Sequence, residues 1–236
     1  LDAFAGLWCV NVGYGQESVV QAAAEQMRRL PYATGYFDFG SEPAIRLAER
    51  LSQLAPEGLT RVYFTLGGSD AVDSAIRFIV NYFNATGRPQ KKQFIALEKG
   101  YHGSSSNGAG LTALSTFHHN FDLPRAWQHH IPSHYPYRNA CGDDPQAVIA
   151  ASVAALRAKV DDLGSDQGAA CFCEPVQGSG GVIVPPRGWL KAMRETCRDL
   201  GILFVADEVI TGFGRTGPMF ACEHEGVAPD LMIMAK

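Results

Sequence analysis

Apolar positions recur at helical spacing in two early stretches of the chain. In residues 17–30, Val19, Val20, Ala23 and Met27 line one face of a helix; in residues 42–54, Ile45, Ala48, Leu51 and Leu54 do the same and are expected to point inward. The aromatic-rich stretch 31–40 between them reads as a loop. Beyond it the rhythm changes to short apolar runs, each followed by an amphipathic stretch. Residues 61–66, 93–98, 169–174, 202–206 and 230–234 read as strands. Residues 69–84, 144–163 and 189–200 read as helices. The first of these starts after the strand-breaking Gly67-Gly68 and ends before Gly87. The second is capped by Asp143 or Asp144, with Val148, Ala151, Ala155, Leu156 and Val160 on one face. Residues 103–143 show no clear period and are expected to be irregular. Strand followed by helix, repeated, predicts an α/β domain with a largely parallel sheet flanked by helices.

Composition narrows the function classes. With 46% hydrophobic and only 19% charged residues, the chain has ample material for a core, which excludes general disorder. A formal charge of −4 supplies no attraction to nucleic acid or to an anionic membrane, leaving small molecules or a protein partner. No apolar run approaches the roughly 20 residues that cross a bilayer, and the first residues lack a basic segment followed by an apolar one, so a cytoplasmic location is expected. The chain begins at Leu1 rather than Met and stops at Lys236 straight after the apolar run 231–235, so both ends read as cut. Six irregularly spaced cysteines suggest reduced thiols rather than a disulfide framework. Cys171 and Cys173 alternate along a strand with no second pair at zinc spacing, and His118-His119 and His129-His130 read as solvated loop residues, so no metal site is expected.

In an open α/β sheet, ligands collect beyond the carboxyl ends of the strands. The residues that follow each predicted strand are Gly67-Gly68-Ser69, Gly100-Tyr101-His102-Gly103, Pro175-Val176-Gln177-Gly178 after Glu174, Asp207-Glu208, and Lys236. Gly68 and Ser69 at a helix start can offer free N–H groups and the positive end of the helix dipole to a phosphate; the plainer alternative is a tight turn with Ser69 as N-cap. Tyr101 is either a core aromatic or a flat face for a cofactor ring. Asp207 emerges from an apolar wall and calls for a cation, either in a structural salt bridge or on a protonated cofactor nitrogen. Lys236, leaving an apolar strand, is the kind of amine that desolvation turns into a nucleophile, or else it simply begins the next loop.

Residues 212–217 match the dinucleotide fingerprint G-x-G-x-x-G, but the context differs. The fingerprint should follow its strand directly and open a helix, with an acid about 20 residues on. Here residues 207–211 intervene, Pro218 follows, and the next acid is Glu223. An NAD(P)-dependent oxidoreductase is therefore an alternative from another class, as is a non-catalytic scaffold that keeps the fold. Retention of both Asp207 and Lys236 argues against the scaffold, since neither charge is needed to fill a core.

Six segments, in order, resemble the class III (omega) aminotransferases, pyridoxal 5'-phosphate enzymes of fold type I. They are Gly6-Leu7-Trp8-Cys9-Val10-Asn11-Val12-Gly13-Tyr14-Gly15, Gly68-Ser69-Asp70-Ala71-Val72-Asp73, Gly100-Tyr101-His102-Gly103, Glu174-Pro175-Val176-Gln177-Gly178, residues 207–217, and residues 229–236. The resemblance implies that Lys236 holds the cofactor as a Schiff base and moves the substrate proton, and that Asp207 pairs with the ring nitrogen. It implies that Gly68 and Ser69 hold the phosphate, that Tyr101 and Val209 face the ring, and that His102 and Glu174 complete the cofactor site. Trp8 and Tyr36 resemble pocket-lining aromatics, with a core role as the alternative. Ile210 departs from the glutamine of the ornithine-type relatives and resembles the amine:pyruvate type. The implied reaction is transfer of an amino group from a primary amine or omega-amino acid to a keto acid, pyruvate by this resemblance. An aminomutase or decarboxylase with the same cofactor is the alternative. The implied layout is an N-terminal segment 1–40 carrying pocket aromatics, a cofactor-binding large domain 41–236 and a C-terminal small domain outside this chain. A homodimer with interfacial sites is implied as well.

Overall fold

The computed structural model describes residues 1–35, 37–138 and 140–236, which group into two compact units, Leu1–Tyr63 with Lys236, and Phe64–Ala235. In the first unit, the single turn α1 (Ala5–Trp8) has left-handed backbone at Ala5, Gly6, Leu7 and Trp8. That conformation costs an L-residue about 1–2 kcal/mol. Asp2 supports the turn by accepting the N–H groups of Phe4 at 2.9 Å and Gly6 at 2.6 Å, together with the Tyr14 hydroxyl at 2.7 Å. Helices α2 (Glu17–Arg29) and α3 (Glu42–Leu54) follow the sequence periodicity. Ile45, read as inward from the sequence, is instead 63% exposed. A helical stripe is buried only where another element lies against it, and in α3 that holds for Leu51 alone among the described residues.

Residues 61–66, expected as a strand, join no ladder among the described residues, and Tyr63, Phe64 and Leu66 are exposed. An apolar run offers a strand face but not the neighbouring strand that its N–H and C=O groups require.

The second unit holds α4 (Gly68–Ala85), β1 (Gln93–Leu97), α5 (Gly108–Leu111), β2 (Gln128–Ile131), α6 (Pro145–Leu163), β3 (Gly168–Cys173), α7 (Trp189–Asp199), β4 (Leu203–Asp207) and β5 (Leu231–Ile233). The strands form one sheet in the order β2-β1-β3-β4-β5, each pair parallel. Strand β2 and the single turn α5 lie in the stretch expected to be irregular. Gln128-His129-His130-Ile131 is short and polar, and it pairs only with β1 at the sheet edge, so no apolar alternation announces it. His129 and His130 are therefore strand residues rather than solvated loop residues. Burial holds both imidazoles below their ordinary pKa.

Both sheet faces are covered, which is why the inner strands read as continuous apolar runs. Phe94, Ala96, Ala170, Phe172 and Val205 face α4, where Val72, Ile76, Ile79 and Phe83 meet them. Ile95, Leu97, Cys171, Cys173, Phe204 and Ala206 face α6 and α7, packing on Leu156, Val160, Trp189 and Met193. Each such fully buried aromatic or aliphatic side chain contributes roughly 1.5–3 kcal/mol. Helix α6 is capped as its sequence suggests, Asp144 accepting the Ala147 N–H at 2.7 Å.

Candidate active site

The pleat that sorts the core also places the acids. The register pairs Phe172 with Val205 and Cys173 with Ala206. One step further, Glu174 and Asp207 leave adjacent strands on the α4 side of the sheet, since side chains two residues apart share a face. Glu208 points the other way and is structural: its buried carboxylate accepts the N–H groups of Ala221 at 3.1 Å and Cys222 at 2.8 Å and a short hydrogen bond from the Thr211 hydroxyl. Of the two acids at the carboxyl end of β4, only Asp207 lies on the α4 side of the sheet.

Asp207 is 4% exposed. Its Oδ2 lies 2.8 Å from Nδ1 of His102, and its Oδ1 accepts the Val209 N–H at 3.2 Å. His102 is fully buried; burial disfavours its charged form, but the hydrogen bond and charge of Asp207 outweigh that and raise its pKa. The Nε2 atom of His102 has no hydrogen-bond partner among the described residues. Glu174 accepts the N–H groups of Tyr101 at 2.8 Å and Gly178 at 3.0 Å. Its carboxyl is pushed up to about 7, mainly by burial and further by the charge of Asp207, with His102 acting in the opposite direction.

The start of α4 lies over the same end of the sheet. A Cβ on Gly68 would sit 3.1 Å from Cγ2 of Val209, so the helix start approaches Val209 as closely as only glycine allows without adjustment. Ser69 is half-buried, and its Oγ accepts the Ser104 N–H at 3.1 Å. Gly103 has φ +95°, and any side chain there would run into Ser69. Tyr101 is half-buried, its ring edge-on to Phe117 with centroids 5.4 Å apart. Gly68, Ser69, Tyr101, His102, Glu174, Asp207 and Val209 are thus brought together at one end of one sheet.

This donor set suits a ligand with a protonated ring nitrogen at one end and an anion at the other. The buried carboxylate of Asp207 favours a cation, and the α4 start presents backbone N–H groups and a positive dipole end to an anion. The ligand's flat faces would meet Val209 and Tyr101.

Lys236 and Trp8 belong to the first unit, where the Lys236 Nζ lies 5.9 Å from the centroid of the Trp8 ring and the Lys236 carbonyl accepts the Asn11 side-chain amide at 3.3 Å. In the chain, Lys236 follows β5 after Met234 and Ala235. Tyr36 lies outside the described residues. The fingerprint-like residues 212–217 form turns closed by Gly214 N–H to Met219 C=O at 3.2 Å and Gly217 N–H to Gly214 C=O at 3.1 Å; they open no helix. Sequence reasoning grouped His102 with the cofactor site but did not foresee its bond to Asp207. The two stand 105 residues apart, and only the strand order brings them together.

The family model described as aminotransferase class-III matches residues 1–236. The putrescine–pyruvate aminotransferase of Pseudomonas aeruginosa is 44% identical over 236 residues, which cover 100% of this chain and 52% of that protein. The diaminobutyrate–2-oxoglutarate transaminase of Halomonas elongata is 38% identical over 239 residues, covering 100% of this chain and 51% of that protein. The crystal structure of the omega transaminase from Pseudomonas jessenii in complex with PMP superposes with a TM-score of 0.96 at 38% identity, covering 99% of this chain and 52% of that one. The chain spans about half the length of the curated relatives it matches.

Proposed function

The chain belongs to the class III aminotransferases, and from that premise we propose that its protein is a pyridoxal 5'-phosphate-dependent enzyme moving an amino group from a primary amine or omega-amino acid to pyruvate. The observation that carries the proposal is the buried Asp207–His102 pair beside the glycine start of α4, on one face at the carboxyl end of a parallel sheet. When bound, pyridoxal phosphate supplies an aldehyde that takes up amines and a ring that accepts electrons. The chain's own residues supply the rest. Asp207 holds the proton on the ring nitrogen, and His102 fixes the carboxylate that does so. The N–H groups of Gly68 and Ser69 hold the phosphate, while Val209 and Tyr101 exclude water from the two ring faces. Lys236 anchors the cofactor through Nζ and serves as base and then acid at the amine-bearing carbon of the substrate. Overall, the donor leaves as a carbonyl compound and the keto acid leaves as an amino acid, so no outside oxidant is needed.

Pyruvate as acceptor rests on Ile210, which puts an apolar side chain where a polar one marks ornithine-type relatives, and on the putrescine–pyruvate relative. Trp8 and Tyr36 are assigned to the amine pocket, where aromatic area accepts donors of different length without demanding a polar partner. Residues 1–40 are taken as the segment that carries these aromatics and residues 41–236 as the cofactor-binding domain. We assign a homodimer and a cytoplasmic location; no helix among the described residues is long and apolar enough to cross a membrane. A screen of mono- and diamines against pyruvate and 2-oxoglutarate on the full-length protein tests the assignment. Alanine formed from pyruvate supports it; glutamate formed instead replaces the acceptor, and amine loss without amino-acid formation overturns transamination.

A further inference from the structure

The turn that carries Tyr101 and His102 has an unusual backbone economy. It lies between β1 and α5, outside any ladder, and side chains bind its polar groups in succession. Tyr101 N–H donates to Glu174 Oε1 at 2.8 Å. His102 N–H donates to Oγ1 of Thr112 at 2.8 Å, and the same hydroxyl donates to the Gly103 carbonyl at 2.8 Å. Ser104 N–H donates to Ser69 Oγ at 3.1 Å. Thr112 is completely buried, and it is the C-cap residue of α5, where its own N–H is tied to the Gly108 carbonyl at 2.9 Å. Its side chain therefore cannot swing out to solvent and leave water to take its place.

We propose that Thr112 is a positioning residue: through one hydroxyl it sets the His102 ring against Asp207 on one side and Gly103 against Ser69 on the other. The His102 backbone is clamped by the hydroxyl one bond from the Cα that carries the ring. The ring in turn meets Asp207 at 2.8 Å. On the other side, Gly103 carries no side chain, and its Cα lies against Ser69, which takes the next N–H of the turn. Both ends of the cofactor site, the carboxylate and the phosphate cradle, are thus referred to the same buried oxygen atom. Valine at this position matches threonine in shape but can neither accept nor donate, so it leaves His102 N–H and Gly103 C=O buried without partners. The turn then relaxes to satisfy them, and His102 moves off Asp207.

The inference rests on the function proposed above, and its test separates the two. In the full-length protein without cofactor, the Nδ1–H proton of His102, bonded to a carboxylate, gives a far-downfield proton resonance, assigned by its loss in His102→Gln. We expect Thr112→Val to shift or broaden this resonance and Thr112→Ser, which keeps the hydroxyl, to retain it. In the loaded enzyme, Thr112→Val lowers kcat about 10- to 100-fold, more than it changes KM, as expected for a displaced catalytic group. Thr112→Ser recovers most of the loss. If Thr112→Val does not fold, Thr112→Cys, with a weakly bonding thiol of similar size, is expected to give an intermediate shift. Wild-type resonance and kcat in Thr112→Val, or in Thr112→Cys where that variant stands in, overturn the proposal. The resonance reads Thr112 whether or not the wild type binds pyridoxal phosphate, whereas failure of the wild type to bind it overturns the function alone.

Discussion

The Nδ1 atom of His102 stands 2.8 Å from Oδ2 of Asp207, with both side chains almost fully buried. A buried carboxylate hydrogen-bonded to an imidazole is held in one orientation, which is what a residue facing a protonated ring nitrogen needs. Asp207→Asn keeps the shape and loses the charge. Its kcat is expected to fall by about 10²- to 10³-fold, the range for removing one preorganised electrostatic partner. His102→Gln acts only through Asp207 and is expected to cost less. Steady-state kinetics of the two variants check the order, and an Asp207→Asn enzyme with near wild-type kcat refutes the assigned role.

Glu174 predicts a pH dependence of stability. Its folded pKa of about 7 lies above the ordinary 4.5, so the folded state binds the proton more tightly than the unfolded state. The contribution is fully present below pH 4.5 and is lost as pH rises through 7. The size is on the order of 3 kcal/mol, at 1.36 kcal/mol per pKa unit. Glu174→Gln cannot ionise, so urea midpoints of the apoprotein at pH 5 and pH 8 are expected to differ less in the variant than in the wild type.

His134 acts with the opposite sign. It is buried against Trp189, with ring centroids 4.3 Å apart, and burial lowers its pKa from 6.5 to about 4. The folded state resists the proton, so this contribution is present above pH 6.5 and is lost as pH falls through 4, again on the order of 3 kcal/mol. His134→Phe keeps a ring on Trp189 and is expected to flatten the acid limb of the stability curve between pH 6.5 and pH 4.

Gly103 and Gly68 should respond differently to alanine. A methyl group on Gly103 would overlap the Cα and Cβ of Ser69 at a φ of +95°, whereas on Gly68 it would lie 3.1 Å from a Val209 methyl that can yield. Gly103→Ala is expected to weaken retention of pyridoxal phosphate by about 10-fold or more, as a displaced cradle should, and Gly68→Ala by less. Equilibrium titration with the cofactor measures both.

Much of the fold was legible in the sequence because local pattern and burial agree there. The helices beginning at Glu17, Glu42 and Pro145 show apolar positions at helical spacing, and the inner strands β1, β3 and β4 stand out as short continuous apolar runs. Strand β2 was not legible, since Gln128-His129-His130-Ile131 owes its form to β1 rather than to its own composition. The apolar run at residues 61–66 misled in the opposite way, having a strand's composition without a described neighbour. Asp207 and Glu174 could be placed at a common rim from the strand ends alone, whereas Gly68 was placed there by the run 61–66, which is no strand, and reaches the rim as the start of α4. The bonds of His102 to Asp207 and of Thr112 to the turn could not, because each links positions that only tertiary structure brings together.

Lys236 is the group assigned to anchor the cofactor. The direct measurement is borohydride reduction of the full-length protein after incubation with pyridoxal phosphate, followed by peptide mapping. The expected result is a visible absorbance band that reduction abolishes, a phosphopyridoxyl label on Lys236, and a Lys236→Ala variant that folds, carries no label and has no turnover. A label on another lysine, or full activity in Lys236→Ala, would contradict it.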